Sequence, residues 1–224
     1  MPKHINVALD GPAGVGKSTT AKAVAKKLGL IYVDTGALYR AVGVCVLDRG
    51  GDTEKAEDVV PVLDGLKIEI RYIDGEQHVF ANGRDVNGLI RTPAASKASS
   101  DVSKVPEVRA FLLETQREIA RENDCIMDGR DIGTVILPDA SAKFFLTADP
   151  AERARRRVAE MKEKGMDADF DTVFADMKAR DLQDSTRAVA PLRPAPDAVL
   201  VDSTHMSLEE VVDTICRMIK PSVN

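Results

Sequence analysis

The sequence predicts an α/β protein built on a parallel sheet, and three observations carry that expectation. Short apolar runs alternate with segments of helical periodicity along most of the chain. A glycine-rich turn joins the first apolar run to the first helix. Later runs end in polar residues (Asp34, Asp128, Thr147 and Asp202), at the carboxyl ends of strands where open α/β sheets place their ligands.

The first strand is Ile5-Asn6-Val7-Ala8-Leu9, too continuously apolar to lie at a wet edge. The helix expected over 18–28 carries Ala21, Val24, Ala25 and Leu28 at helical spacing, with Gly29 as its stop. Leu30-Ile31-Tyr32-Val33 is the next strand and ends at Asp34. From there to Cys125 the chain is too long for an ordinary crossover. Residues 66–86 show two-residue periodicity, with turn signals at Asp74-Gly75 and Asn82-Gly83, the pattern of a small antiparallel meander. Residues from about 62 to 99 therefore read as an insert that forms a subdomain. Alternation then resumes with Cys125-Ile126-Met127, Lys143-Phe144-Phe145-Leu146 and Ala198-Val199-Leu200-Val201. One helix follows Asp149, with an Asp cap, Pro150 in the first turn and Glu152 three residues beyond the cap. The last helix opens with Ser207-Leu208-Glu209-Glu210, a capping box.

Composition bounds the function. A chain of 224 residues buries one full core and leaves room for one appended unit. With 44% hydrophobic and 30% charged residues it has the balance of a soluble globular protein. A net charge of −5 supplies no global basic field for nucleic acid or anionic membrane, so neither is expected as a partner. No apolar run approaches membrane-spanning length, and the N-terminus enters a strand within a few residues, which leaves no signal peptide. Cys45, Cys125 and Cys216 lie far apart in apolar runs, without metal or disulfide spacing. They suit a reducing cytoplasm as small buried hydrophobes. His4, His78 and His205 read as surface residues, and no long exposed apolar stripe calls for an obligate dimer, so a monomer is expected.

The turn after the first strand, Gly11-Pro12-Ala13-Gly14-Val15-Gly16-Lys17-Ser18, fits G-x-x-x-x-G-K-[ST], and Thr19 continues it into the helix. Such a turn points several backbone N–H groups at one spot, at a helix N-terminus that favours negative charge. It is a phosphate-binding loop, and a nucleoside triphosphate is its expected ligand. Lys17 reaches β- and γ-phosphates, and the Ser18 hydroxyl suits Mg²⁺. Four further clusters stand out. Asp34-Thr35-Gly36-Ala37-Leu38-Tyr39-Arg40 closes the second strand and opens a helix. Asp128-Gly129-Arg130-Asp131-Ile132-Gly133-Thr134 follows an apolar strand, with Asp128 where an acid can hold Mg²⁺ through water. Arg153, Arg156 and Arg157 share one face of a helix. Arg180, Asp184 and Arg187 do the same, continuing the apolar stripe Phe170, Val173, Met177 into a polar cleft.

These clusters resemble the bacterial cytidylate kinases, within the P-loop nucleoside monophosphate kinases. The specific parts are D-[ST]-G-A-x-Y-R at 34–40, D-G-R-D-x-G-T at 128–134, and Arg180-x-x-x-Asp184-x-x-Arg187-A-V-A-P ending at Pro191. The resemblance covers essentially the whole chain and implies one domain over 1–224, a three-layer fold. That fold has a five-stranded parallel sheet, the acceptor-side insert at about 62–99 and a short helical lid at about 153–187. It implies ATP with Mg²⁺ as donor and CMP or dCMP as acceptor. Carried over by position, Arg40, Arg130 and Arg187 hold the acceptor phosphate with Thr35 and Tyr39 beside them. Ser100, Arg109 and Asp131 read cytosine, and Arg180 and Asp184 take the sugar. In the lid, Arg153 packs on the donor base and Arg157 meets the transferring phosphates. Thr35 stands where Ser is frequent and keeps the hydroxyl; Ser18 stands where some members carry Gly and strengthens the Mg²⁺ assignment.

The chemistry agrees with that reading. Phosphoryl transfer to a phosphate needs no general base, because the acceptor oxygen is already anionic; it needs alignment and neutralisation of two polyanions. A loop lysine, Mg²⁺ and arginine forks from several elements supply this. Taken alone, Asp184 and Arg187 read equally as an i, i+3 ion pair, Ser100 as part of a polar loop or cap, and Arg109 as a partner of Glu107 or Glu114. Asp128 alone also reads as a structural acid. A P-loop kinase for UMP, dTMP or shikimate, or a non-enzymatic ATP sensor, are the alternative functions.

Overall fold

The computed structural model describes residues 4–163 and 165–219. Lys164, within the expected lid, and both ends of the expected 1–224 domain lie outside the described residues. The chain forms two compact units, residues 1–32 with 123–224, and residues 33–122.

The first unit is organised by a five-stranded sheet in the order β2-β6-β1-β7-β8. Its strands are β1 (Asn6–Asp10), β2 (Ile31–Asp34), β6 (Cys125–Gly129), β7 (Ala142–Thr147) and β8 (Val199–Asp202). β1 pairs in parallel with β6 and β7, and β7 with β8. The parallel α/β expectation holds. Val7, Ala8 and Leu9 are fully buried, as the continuous apolar text of β1 demands of a central strand. In register, Asp10 at the end of β1 faces Gly129 at the end of β6, so the turns that follow these strands start side by side.

Two helices that belong to this unit, α1 (Lys17–Leu28) and α8 (Leu208–Ile219), pack together and share a core with the sheet. The buried stripe of α8 is Val211, Val212, Ile215, Cys216 and Ile219. Each large aliphatic side chain there contributes about 1.5–3 kcal/mol by leaving water. The capping box forms: the Glu210 N–H donates to Ser207 Oγ at 3.2 Å, and the Ser207 N–H to Glu210 Oε2 at 2.8 Å. α6 (Pro150–Glu163) and α7 (Phe170–Thr186) pack on each other through Ala154, Val173 and Met177, with Phe170 and Phe174 stacked. Cys125 is buried, which pushes its thiol up to about 12 and leaves it an inert hydrophobe. Cys45 departs from expectation in being only half-buried.

The second unit contains α2 (Thr35–Asp48), α3 (Ala56–Leu63), α4 (Pro93–Val102) and α5 (Pro106–Glu122). Its sheet is an antiparallel meander of β3 (Ile68–Ile73), β4 (Glu76–Ala81) and β5 (Arg84–Asp85). Both turns behave as their text requires: Asp74 and Gly75, then Asn82 and Gly83, all have positive φ, matching the twist of tight hairpins. The compact unit reaches well beyond 62–99. Leu38, Val42 and Val46 of α2 join Val59, Val62, Val79, Val102, Val108 and Leu112 in one core, which binds the flanking helices to the meander. Among the described residues no helix is long and apolar enough to cross a membrane.

Candidate active site

The phosphate-loop sequence folds as a turn between β1 and α1. Gly11 has φ 154°, and a Cβ there would lie 2.2 Å from the Leu146 carbonyl oxygen; at Gly14, φ 68°, it would lie 2.5 Å from Met177 Cε. At Gly11 the clash is with backbone and admits no side chain; at Gly14 the positive φ favours glycine, and a Cβ would have to displace the Met177 tip. α1 begins on Gly16, which brings no side-chain acceptor to the first N–H groups of the helix. Lys17 is buried and its ammonium donates to the Pro12 carbonyl at 2.7 Å. Burial, then repulsion from Arg130, holds its pKa well below the usual lysine range, against the attraction of Asp128. Negative charge placed beside Lys17 would reverse that balance. Ser18 Oγ donates to Asp128 Oδ2 at 2.6 Å, and Tyr32 Oη to Asp128 Oδ1 at 3.1 Å. A hydroxyl beside a carboxylate is a hard oxygen pair of the kind that holds Mg²⁺ together with nucleotide phosphates, so these residues fit that ion.

The turn after β6 carries the second cluster. Arg130 Nε donates to Asp184 Oδ2 at 2.7 Å, and Arg187 Nη2 to Asp131 Oδ1 at 3.2 Å, while Arg187 Nη1 lies 3.8 Å from Asp184 Oδ1. Burial pushes the Asp184 carboxyl up, but Arg130, Arg180 and Arg187 together hold it below the usual range. Two forks, Arg130 and Arg187, are thus fixed by buried carboxylates rather than left to solvent. Arg180 belongs to the same electrostatic group, since its charge acts on both Lys17 and Asp184. Arg187 stays within reach of Asp184 across one helical turn, and the chain leaves the helix immediately after it. α7 ends at Thr186, and Arg187 is its extended C-cap, with Nε donating to the Ala190 carbonyl at 2.7 Å.

Sequence reasoning missed Asp10. Its two carboxylate oxygens accept the N–H groups of Ile132 and Gly133, each at 2.8 Å, fastening the single π turn Ile132–Ile136 that follows Arg130 and Asp131. The signal was available, a polar residue closing a buried strand directly before Gly11. Burial pushes Asp10 up to about 6 despite those two bonds. Its folded-state value lies above the ordinary 3.8, so folding takes up a proton between about pH 4 and 6. Asp10 therefore favours stability in acid and withdraws it as pH rises through about 6. Denaturant titrations of wild type and Asp10→Asn should show the wild type gaining about 2 kcal/mol relative to the variant between pH 7 and pH 4. A pH-independent difference would show that Asp10 titrates as an ordinary carboxylate.

The basic helix also differs from expectation. Arg153, Arg156 and Arg157 do not present one common face. Arg153 is buried: Nη1 donates to the Ala13 carbonyl and to Asp181 Oδ2, both at 2.7 Å, and Nε to the Ala148 carbonyl at 3.2 Å. In this structure its guanidinium is held against the phosphate loop. Arg156 donates to the carbonyls of Ser203 and Thr204, which ties α6 to the loop after β8. Arg157 is exposed and pairs with Glu160 at 2.7 Å, an arrangement that costs little to break.

In the second unit, Asp34 caps α2 by accepting the Ala37 N–H at 3.0 Å and pairs with Arg40 at 2.6 Å. Thr35 and Tyr39 are buried on the same helix. The Arg109 guanidinium lies 5.5 Å from the Tyr39 ring centroid and donates to the Ser103 carbonyl at 3.4 Å. Ser100 is on α4, half-buried, and its carbonyl accepts from Ser103 Oγ.

Residues 7–221 match the model of a protein family described as cytidylate kinase. The chain belongs to the cytidylate kinase family. A cytidylate kinase of Caldicellulosiruptor saccharolyticus is 49% identical over 216 residues, which cover 96% of each chain. One of Shouchella clausii is 46% identical over 220 residues, covering 98% of each. A solved structure of an uncharacterized protein from Eubacterium ventriosum matches with a TM-score of 0.53 and 14% identity over 98% of this chain and 99% of that one, a likeness of fold alone. Membership in the cytidylate kinase family makes this chain an enzyme, a nucleoside monophosphate kinase.

Proposed function

We propose that this kinase transfers the γ-phosphoryl group of ATP to CMP or dCMP, with Mg²⁺, as a monomer in the cytoplasm. One observation supports the two-phosphate chemistry most directly. Lys17, buried in the loop, shares its field with Arg130, Arg180 and Asp184, and this concentration of positive charge supports a second anion site beside the first. Repulsion between two nucleotides is the main obstacle to this reaction, and fixed guanidinium forks offset it without reorganising.

In this reading the loop from Gly11 through Pro12, Ala13, Gly14, Val15 and Gly16 to Lys17, Ser18 and Thr19 wraps the donor phosphates. Lys17 stabilises charge on the β- and γ-phosphates, and Ser18 and Asp128 would hold Mg²⁺. When bound, that ion would neutralise charge on the transferring group. Arg130 and Arg187 grip the acceptor phosphate with Arg40; Thr35 and Tyr39 belong to the same acceptor set. Asp131, Arg109 and Ser100 take cytosine, and Arg180 and Asp184 the sugar. Arg157, whose pair with Glu160 is exposed, is the arginine that swings to the transferring phosphates.

A coupled assay tests this: ATP turnover in Mg²⁺ should depend on added CMP or dCMP. Turnover independent of any monophosphate would instead support an ATP sensor. Arg130→Lys and Arg187→Lys remove the forks, so each should weaken CMP use by about 10-fold or more while leaving affinity for an ATP analogue nearly unchanged. A main defect in ATP affinity would move these residues to the donor side.

A further inference from the structure

The partly buried ion pair between Arg153 and Asp181 closes a ring on the phosphate loop. Asp181 Oδ1 accepts the Ala13 N–H at 2.9 Å, and Asp181 Oδ2 pairs with Arg153 Nη1 at 2.7 Å. The same Arg153 Nη1 donates back to the Ala13 carbonyl at 2.7 Å. Both polar groups of one loop residue are therefore held by one carboxylate from α7 and one guanidinium from α6. Met177, one helical turn before Asp181, sets its Cε where a Cβ on Gly14 would have to be. Arg153 is in turn anchored at its own helix start by the Ala148 carbonyl.

We infer that Asp181 is a positioning residue for the donor site: with Arg153 it fixes the Ala13 peptide, and so sets the phosphate loop in its anion-binding shape from the two helices α6 and α7. This inference rests on the proposed phosphoryl-transfer reading for its functional meaning. Its physical basis is independent of the acceptor. A glycine-rich turn has many conformations of similar energy, and holding one of them lowers the ordering cost of binding the polyphosphate. The bonds are charge-assisted and largely buried, so they hold more firmly than surface pairs do.

The test is direct titration of purified full-length protein with a non-hydrolysable ATP analogue in Mg²⁺, with CMP titrated separately. Asp181→Ala should weaken the analogue by about 5- to 20-fold and leave CMP affinity within about twofold. Asp181→Asn keeps an acceptor for the Ala13 N–H, and should recover part of the loss. Arg153→Ala combined with Asp181→Ala should be no worse than the more damaging single change, because both act on the same ring. A purely structural role would lower the melting temperature with both ligands binding as before. Unchanged affinity for the analogue would overturn the inference. So would tighter binding by Asp181→Ala, which would make the carboxylate a competitor for a loop amide. Absence of CMP-dependent turnover in wild type would instead count against the kinase reading, and the binding arm reports on Asp181 either way.

Discussion

Lys17→Ala should lose turnover by about 10²–10⁴-fold while folding as well as the wild type. That range corresponds to about 3–5.5 kcal/mol of lost transition-state stabilisation. The expectation follows from where the protein keeps this ammonium. Lys17 is buried, its charged form is disfavoured by burial and by Arg130, and its ammonium donates to a loop carbonyl, that of Pro12. Its charge is a cost to the folded state, which burial and Arg130 impose. The melting temperature of Lys17→Ala should therefore equal or exceed that of wild type. Turnover near the wild-type rate in a folded Lys17→Ala protein would remove the lysine from the chemistry. A parallel loss of melting temperature and activity would make it a structural residue.

Legibility in the sequence follows a physical divide. β1, α1 and the meander were readable because each is specified locally. A buried run of Val7-Ala8-Leu9 has no other place than a central strand, and Asn82-Gly83 has few other conformations than a tight turn. The extent of the second unit was not readable from 62–99, because α2 joins it through contacts remote in sequence, such as Val42 with Val102 and Leu112 in one core. The candidate site shows the same division. Lys17, Ser18, Asp128, Arg130 and Asp184 sit in runs whose spacing carries meaning, and the structure places them in one electrostatic group. Asp10 and Asp181 act through backbone amides of Ile132, Gly133 and Ala13, and a carboxylate bonded to a distant amide leaves no spacing pattern. Arg153 shows the converse. Its position in a basic helix suggests a solvent-facing ligand contact, yet Asp181 and two carbonyls draw it inward.

Acceptor choice should show the largest discrimination of all. Cytosine presents an N4 amino donor beside the acceptors N3 and O2, whereas uracil presents O4 and N3–H. A carboxylate facing N4 and a guanidinium facing N3, the roles proposed for Asp131 and Arg109, are each mismatched by uracil. Two buried mismatched contacts discriminate by roughly 10³–10⁵, since each leaves a polar group unpaired. CMP and dCMP should thus be good acceptors, UMP poor, and AMP, GMP and dTMP negligible. Asp131→Ala should lower CMP efficiency and narrow the CMP-to-UMP gap, because the repulsion against O4 goes with the attraction for N4. The structure adds a control. Asp131 also pairs with Arg187 at 3.2 Å, and Arg187 keeps the Ala190 carbonyl and Asp184 when Asp131 is removed. If the variant acts only by loosening Arg187, CMP and UMP efficiencies fall together and their ratio stays fixed. If Asp131 reads the base, the ratio itself collapses. Steady-state kinetics with both acceptors on wild type and variant separate the two outcomes, and equal use of UMP and CMP by the wild type would assign the acceptor site to another base.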